Sequence, residues 1–90
     1  MSLAAARPNP FGTEATLVYS TPRRGVVKLS IFDLGGRRVR TLVSGEQAAG
    51  SHQAVWNGRN ERGQRLSAGV YFSVLEFQGA SAARKLILMK

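Results

Sequence analysis

Gly69-Val70-Tyr71-Phe72-Ser73-Val74-Leu75 is the stretch that decides the fold. Its β-branched and aromatic residues follow a glycine and lead to Gln78-Gly79, which marks a half-buried β-strand ending in a turn. Tyr71, Ser73, Leu75 and Phe77 fall on one face, and Phe72 and Val74 make the other face apolar too. Beyond the turn comes Arg84-Lys85-Leu86-Ile87-Leu88-Met89-Lys90, where the chain stops. Leu86 and Leu88 point one way, Ile87 and Met89 the other. A strand apolar on both faces is either buried between layers or offers its outer face to a partner. A chain end built into the fold is itself a candidate signal.

Glycine punctuates the chain at short intervals. Turn signals fall at Arg23-Arg24-Gly25, Asp33-Leu34-Gly35-Gly36, Ser44-Gly45-Glu46, Asn57 through Gly63, and Gln78-Gly79. The runs between them have period two: Ala15, Leu17 and Tyr19 share a face, as do Val27, Leu29 and Ile31, with Lys28 and Ser30 on a wet opposite face. His52, Ala54 and Trp56 share another. Strands are expected near 14–20, 26–33, 38–43, 51–56, 64–66, 69–77 and 81–89. Short strands at this spacing predict an all-β sandwich or barrel. Glu46-Gln47-Ala48-Ala49 is the best helical stretch, and four residues between two glycines cannot nucleate a helix. Residues 1–8 read as a start scar, Met1-Ser2-Leu3, and a proline-bearing linker. Residues 9–90 form one domain.

Composition narrows the chemistry. The 90 residues include no cysteine, which excludes disulfides and thiolate metal sites. No run approaches a membrane span, and nothing reads as a signal peptide. The net charge is +8, with ten arginines against three lysines. The arginines are scattered among turns, as arginine-rich codon usage produces, and they lack the interleaved aromatics of a nucleic-acid platform. Nucleic acid is therefore not the expected partner. The single histidine, His52, is in phase with Trp56 on a strand, and the five acids are spread one per segment. No catalytic site and no cofactor are expected. Asn57, Asn60 and Glu61 offer oxygen ligands, but Arg59 and Arg62 would repel a cation. Asparagines bonding their own turn explain that loop better.

The motifs also form an ordered series. Asn9-Pro10-Phe11 opens the domain, and Tyr19-Ser20-Thr21-Pro22 closes the first long strand. Val27 through Val39 follows, centred on Asp33-Leu34-Gly35-Gly36. Then come Ala49-Gly50-Ser51-His52, Val55-Trp56-Asn57-Gly58, Gly63, Ser67-Ala68-Gly69-Val70-Tyr71-Phe72 and the final basic-flanked run. This series resembles the FlgD-like Ig-like domains and the similar C-terminal sorting domains of type IX secretion cargo. The resemblance implies a seven-stranded immunoglobulin-like β-sandwich at the end of an exported protein, secreted or held at the cell surface. It implies recognition by outer-membrane secretion machinery, or contact with other domains of the parent protein. Carried over by position, the recognition elements are Gly69, Val70 and Tyr71, with Lys85, Leu86, Ile87, Leu88, Met89 and Lys90. Asn57 and Asn60 stand where the family commonly has Asp, which lowers the case for a cation. The family shades into flagellar hook-capping proteins, whose Ig-like modules assemble with further copies, and a polysaccharide-binding accessory role is a further alternative.

Each motif also has a plain structural reading. Trp56 is a core anchor. Asp33 through Gly36 is a hairpin turn needing a positive φ. Asn57, Gly58 and Gly63 shape a loop. Tyr71 packs at a sheet corner and bonds a backbone group. Lys85 and Lys90 keep an edge strand from pairing with other chains.

Overall fold

The computed structural model describes residues 1–89. Seven strands run in the order β1 (Ser2–Leu3), β2 (Ala15–Thr21), β3 (Gly25–Asp33), β4 (Arg38–Gln47), β5 (Gly50–Trp56), β6 (Gly69–Phe77) and β7 (Ala80–Leu88). They make two antiparallel sheets, one ordered β1-β2-β5 and the other β4-β3-β6-β7, stacked as a sandwich.

Period two in the sequence becomes the core. Ala15, Leu17 and Tyr19 of β2 face Val27, Leu29 and Ile31 of β3, with Leu75 and Phe77 of β6 and Leu86 and Leu88 of β7 completing the inner layer. Each Val, Leu, Ile or Phe side chain among them contributes about 1.5–3 kcal/mol when fully buried. Trp56 lies at the centre, fully buried, with ring centroids 5.4 Å from Phe11 and 5.2 Å from Tyr71. Tilted and edge-on contacts of this kind suit the aromatic quadrupole. The indole N–H donates to the Arg59 carbonyl at 2.9 Å, so the burial leaves no orphan donor.

Most turns follow their residues, but Ser44-Gly45-Glu46, expected as a turn, continues β4 in register with Val26, Val27 and Lys28. Gly36 closes the β3–β4 hairpin at φ 86°, and its N–H donates to the Asp33 carbonyl at 3.0 Å. In the long loop, Asn57 Oδ1 accepts from the Arg59 amide, and Asn60 Oδ1 accepts from the amides of Arg62 and Gln64. These are the Asx turns that the sequence predicts.

Three further expectations need correction. Residues 64–66 are not a strand: Arg65 makes only an isolated bridge to Arg59, and the Leu66 amide bonds the Gly58 carbonyl. The seventh strand is instead at the start. Residues 1–8, expected as a scar and linker, pack onto the sandwich. Ser2–Leu3 pairs with Tyr19 and Ser20, and Leu3 and Ala6 are buried. Ser30, expected on a wet face, is only 2% exposed. It points outward, but its short side chain sits in register between the larger Thr41 and Val74.

Candidate docking surface

The last strand lies at the edge of the four-stranded sheet, paired with β6 from Gly69↔Leu88 to Phe77↔Ala80. Strand alternation divides the residues singled out from the sequence. Leu86 and Leu88 point inward and are buried, so no partner reads their side chains. Tyr71 also points inward, and its hydroxyl donates to the Ser67 carbonyl at 2.6 Å. Burial pushes its phenol above the ordinary range, with the nearby Asp33 charge adding to the effect. Val70 and Ile87 face outward side by side, half-buried. Lys85 points outward opposite Phe72 and is exposed, as is Met89. Gly69 is exposed at the start of β6. Lys90 lies outside the described residues.

An edge strand normally presents a row of unpaired backbone groups. Here that row is already occupied between Lys85 and Met89. Asn9 donates from Nδ2 to the Lys85 carbonyl at 3.1 Å and accepts at Oδ1 from the Ile87 amide at 2.9 Å. The Phe11 amide then donates to the Ile87 carbonyl at 2.9 Å, and the Met89 amide donates to the Phe11 carbonyl at 2.7 Å. Phe11 and Leu88 bridge in parallel orientation. The Asn9-Pro10-Phe11 motif is thus a clasp: its first residue reads the strand edge and its third fills the core beside Trp56. Further along, the Arg84 guanidinium donates to the Leu3 carbonyl at 2.8 Å.

The remaining sequence features support this frame. The Arg37 amide donates to Asp33 Oδ1 at 2.9 Å. That bond, with the Arg37 charge, holds the Asp33 carboxyl below the usual carboxylate value against a smaller opposing effect of desolvation. Gly58 is buried at φ 75°, where an added Cβ would lie 3.2 Å from Leu88 Cδ1. Gly63 turns the loop at φ 79° and donates to the Asn60 carbonyl. His52 stacks on Tyr19 and bonds the Ala48 carbonyl, with no carboxylate among its hydrogen-bond partners. An open cleft of about 500 Å³ lies between the β3–β4 turn and the long loop. Its arginines Arg37, Arg38 and Arg62 are offset by Asp33 and Glu61. Among the described residues, no group of three His, Asp or Glu side chains could hold a metal ion.

Two features were not singled out in the sequence. One is the clasp role of Asn9 and Phe11. The other is a row across the outer sheet face, where register places Arg38, Phe32, Phe72 and Lys85 in line. Their signal was the outward phase of Phe32 and Phe72 within two separate strands.

Residues 10–80 match the family model of the FlgD Ig-like domain. Among solved structures, the chain is similar to PorZ, a surface component of the type IX secretion system of Porphyromonas gingivalis. The TM-score is 0.68 at 18% identity, and the match covers 94% of this chain but 11% of that one. It is also similar to the alkylpurine DNA glycosylase AlkC of Pseudomonas fluorescens bound to DNA containing an abasic-site analogue. There the TM-score is 0.52 at 15% identity, covering 98% of this chain and 30% of that one. At such identities these likenesses speak to the fold alone. No curated protein sequence matches the chain significantly.

Proposed function

The chain belongs to the FlgD Ig-like domain family, and from that membership we propose that it is a non-catalytic module of a secreted or cell-surface bacterial protein. Its role is export sorting or surface anchoring, performed by docking of its last strand. The likeness to PorZ supports the setting, since that protein is a surface component of a secretion system.

The observation that carries the mechanism is the occupied strand edge. Addition of a partner strand would require the backbone groups of Lys85, Ile87 and Met89, and the clasp holds them. Docking therefore uses the outward side chains of β7 and its neighbour, chiefly Lys85 and Ile87 with Val70 and Phe72. The test is a reporter enzyme fused ahead of the domain in a host carrying type IX machinery. Lys85→Ala, combined with Lys90→Ala, leaves the reporter inside the cell while the purified domain melts as before. A double variant exported like the parent would remove the sorting role.

A second reading, self-assembly as in hook-capping proteins, is favoured by the family match itself. It predicts concentration-dependent association in sedimentation, and a monomer throughout rejects it.

A further inference from the structure

We infer that the free edge of β5 pairs antiparallel with β5 of a second copy, joining two three-stranded sheets into one of six strands. This rests on the self-assembly reading and names the strand that performs it.

Hydrogen bonds decide which groups of β5 face outward. The Thr16 amide and carbonyl both bond Arg7, and the Val18 carbonyl accepts from the Ala4 amide, so these β2 residues face the N-terminal segment. Backbone groups along a strand alternate sides. Ala15, Leu17, Tyr19 and Thr21 therefore face β5 and bond Trp56, Ala54, His52 and Gly50, their partners in register. The amides and carbonyls of Ser51, Gln53 and Val55 are left pointing away from the sheet, and all three residues are exposed. Among the described residues, none of these six groups bonds another backbone group.

The other three edges are protected. β7 is held by Asn9 and Phe11. β4 is interrupted twice in its register, carries Arg38, Arg40 and Glu46, and donates its Thr41 amide to Glu61. β1 is two residues long. β5 has seven residues in unbroken register, with no proline and no formal charge. A flat edge of that kind is a template for pairing.

Charge and register suit β5 to itself. Strands β1, β2 and β5 contain no Asp, Glu, Lys or Arg, whereas each of the other four carries at least one. Two copies can meet on this sheet without like charges opposed, although each carries +8. Salt screens the remaining charges beyond about 8 Å. A two-fold axis through Gln53 uses all six free groups: Ser51 exchanges bonds with Val55 of the second copy, Gln53 with Gln53, and Val55 with Ser51. On the outer face the two Gln53 side chains meet between Val18 of each copy.

A seven-residue edge is about 24 Å long and a sheet about 10 Å thick, so roughly 240 Å² of each copy is covered. A stable complex covers about 800 Å² per partner. That shortfall holds for any occupant of this edge, so it makes the association weak and does not identify the occupant. Order separates the candidates. A free peptide loses conformational entropy at every residue it fixes as a strand. A second copy presents a strand already fixed by β2 and keeps more of a small gain.

The experiment follows the whole ¹⁵N-labelled chain from micromolar to millimolar concentration, with sedimentation equilibrium alongside. The expected result is a monomer–dimer equilibrium in which the amides of Ser51, Gln53 and Val55 shift saturably. In a mixture of labelled and unlabelled chain, the Hα of His52 shows a cross-copy Overhauser contact with the Hα of Ala54, a pair about 4.5 Å apart at Cα. Gln53→Lys and Gln53→Glu are surface changes that leave melting unaltered. Each sets like charges across the axis and weakens association at least tenfold. A dimer indifferent to both variants, or shifts centred on Ser44 and Glu46 of β4, would overturn the inference and leave self-assembly to another surface. A monomer at every concentration would remove both. Tighter binding of the capped peptide Gly-Ser-His-Gln-Ala-Val-Trp than of the chain to itself would also overturn it, assigning the edge to an extended peptide.

Discussion

Asn9→Ala removes both side-chain bonds of the clasp and tests whether the edge of β7 is truly held. The amide of Asn9 donates to the Lys85 carbonyl and accepts from the Ile87 amide, at 3.1 and 2.9 Å. A typical hydrogen bond contributes about 0.5–1.5 kcal/mol net. Both bonds are exposed, so the freed backbone groups turn to water and no burial penalty follows. The expected loss is therefore about 1–2 kcal/mol, in the lower part of the range for two bonds. For a domain of this size each kcal/mol shifts the melting temperature by about 4–8 °C, giving a fall of roughly 5–15 °C. Calorimetry supplies the midpoint, and hydrogen exchange supplies the location. The Ile87 amide should lose protection, while the Met89 amide, held by the Phe11 carbonyl at 2.7 Å, keeps more of its own. A variant that melts within a degree or two of the parent, with Ile87 still protected, would refute the clasp.

Other perturbations read separate parts of the frame. Tyr71→Phe deletes the bond to the Ser67 carbonyl and should cost about 1 kcal/mol in urea unfolding; an unchanged midpoint would deny the corner its role. Gly58→Ala forces a side chain to φ 75° against Leu88, so a loss of about 1–3 kcal/mol is expected, and tolerance would contradict that packing. Ser30→Ala removes a buried hydroxyl that has no hydrogen-bond partner among the described residues and should leave stability equal or raised by up to about 1 kcal/mol; a clear loss would reveal a hidden partner for that oxygen. The Asp33 carboxyl titrates below its ordinary value of 3.8, so its ionised form favours the folded state. That contribution is complete above the ordinary value and is lost as pH falls through the lower folded value. Melting points taken across this range should decline less steeply for Asp33→Asn, and parallel slopes would exclude the hairpin carboxylate as a cause.

Much of the frame was legible because period two and glycine turns are local signals. Val27, Leu29 and Ile31 declare their face without reference to any other strand, and Trp56 declares a core by size alone. The 64–66 segment misled for the same reason. Three residues between turn signals satisfy a strand pattern, yet Leu66 reaches the core edge from a loop whose bonds go to Gly58. Leu3 and Ala6 could not announce themselves, since an apolar residue among small and turn-forming ones has no period. Ser30 required its cross-strand neighbours to be known. The row of cross-strand partners on the four-stranded sheet was illegible in a stronger sense. Arg38, Phe32, Phe72 and Lys85 come from four strands, and only register brings them into line. Features such as the Asn57 and Asn60 turns, by contrast, need only residues within the loop itself.

The parallel bridge between Phe11 and Leu88 has a mechanical consequence. A pull on the chain before Asn9, opposed by a grip on the end of β7, drags the two segments along each other rather than peeling them apart. Such shear loads the Asn9 bonds and the Phe11 backbone bonds together, so they must yield nearly at once. Resistance to forced unfolding depends on the barrier to that first rupture and not on overall stability. A modest module tethered between a load and an anchor would then bear tension out of proportion to its size.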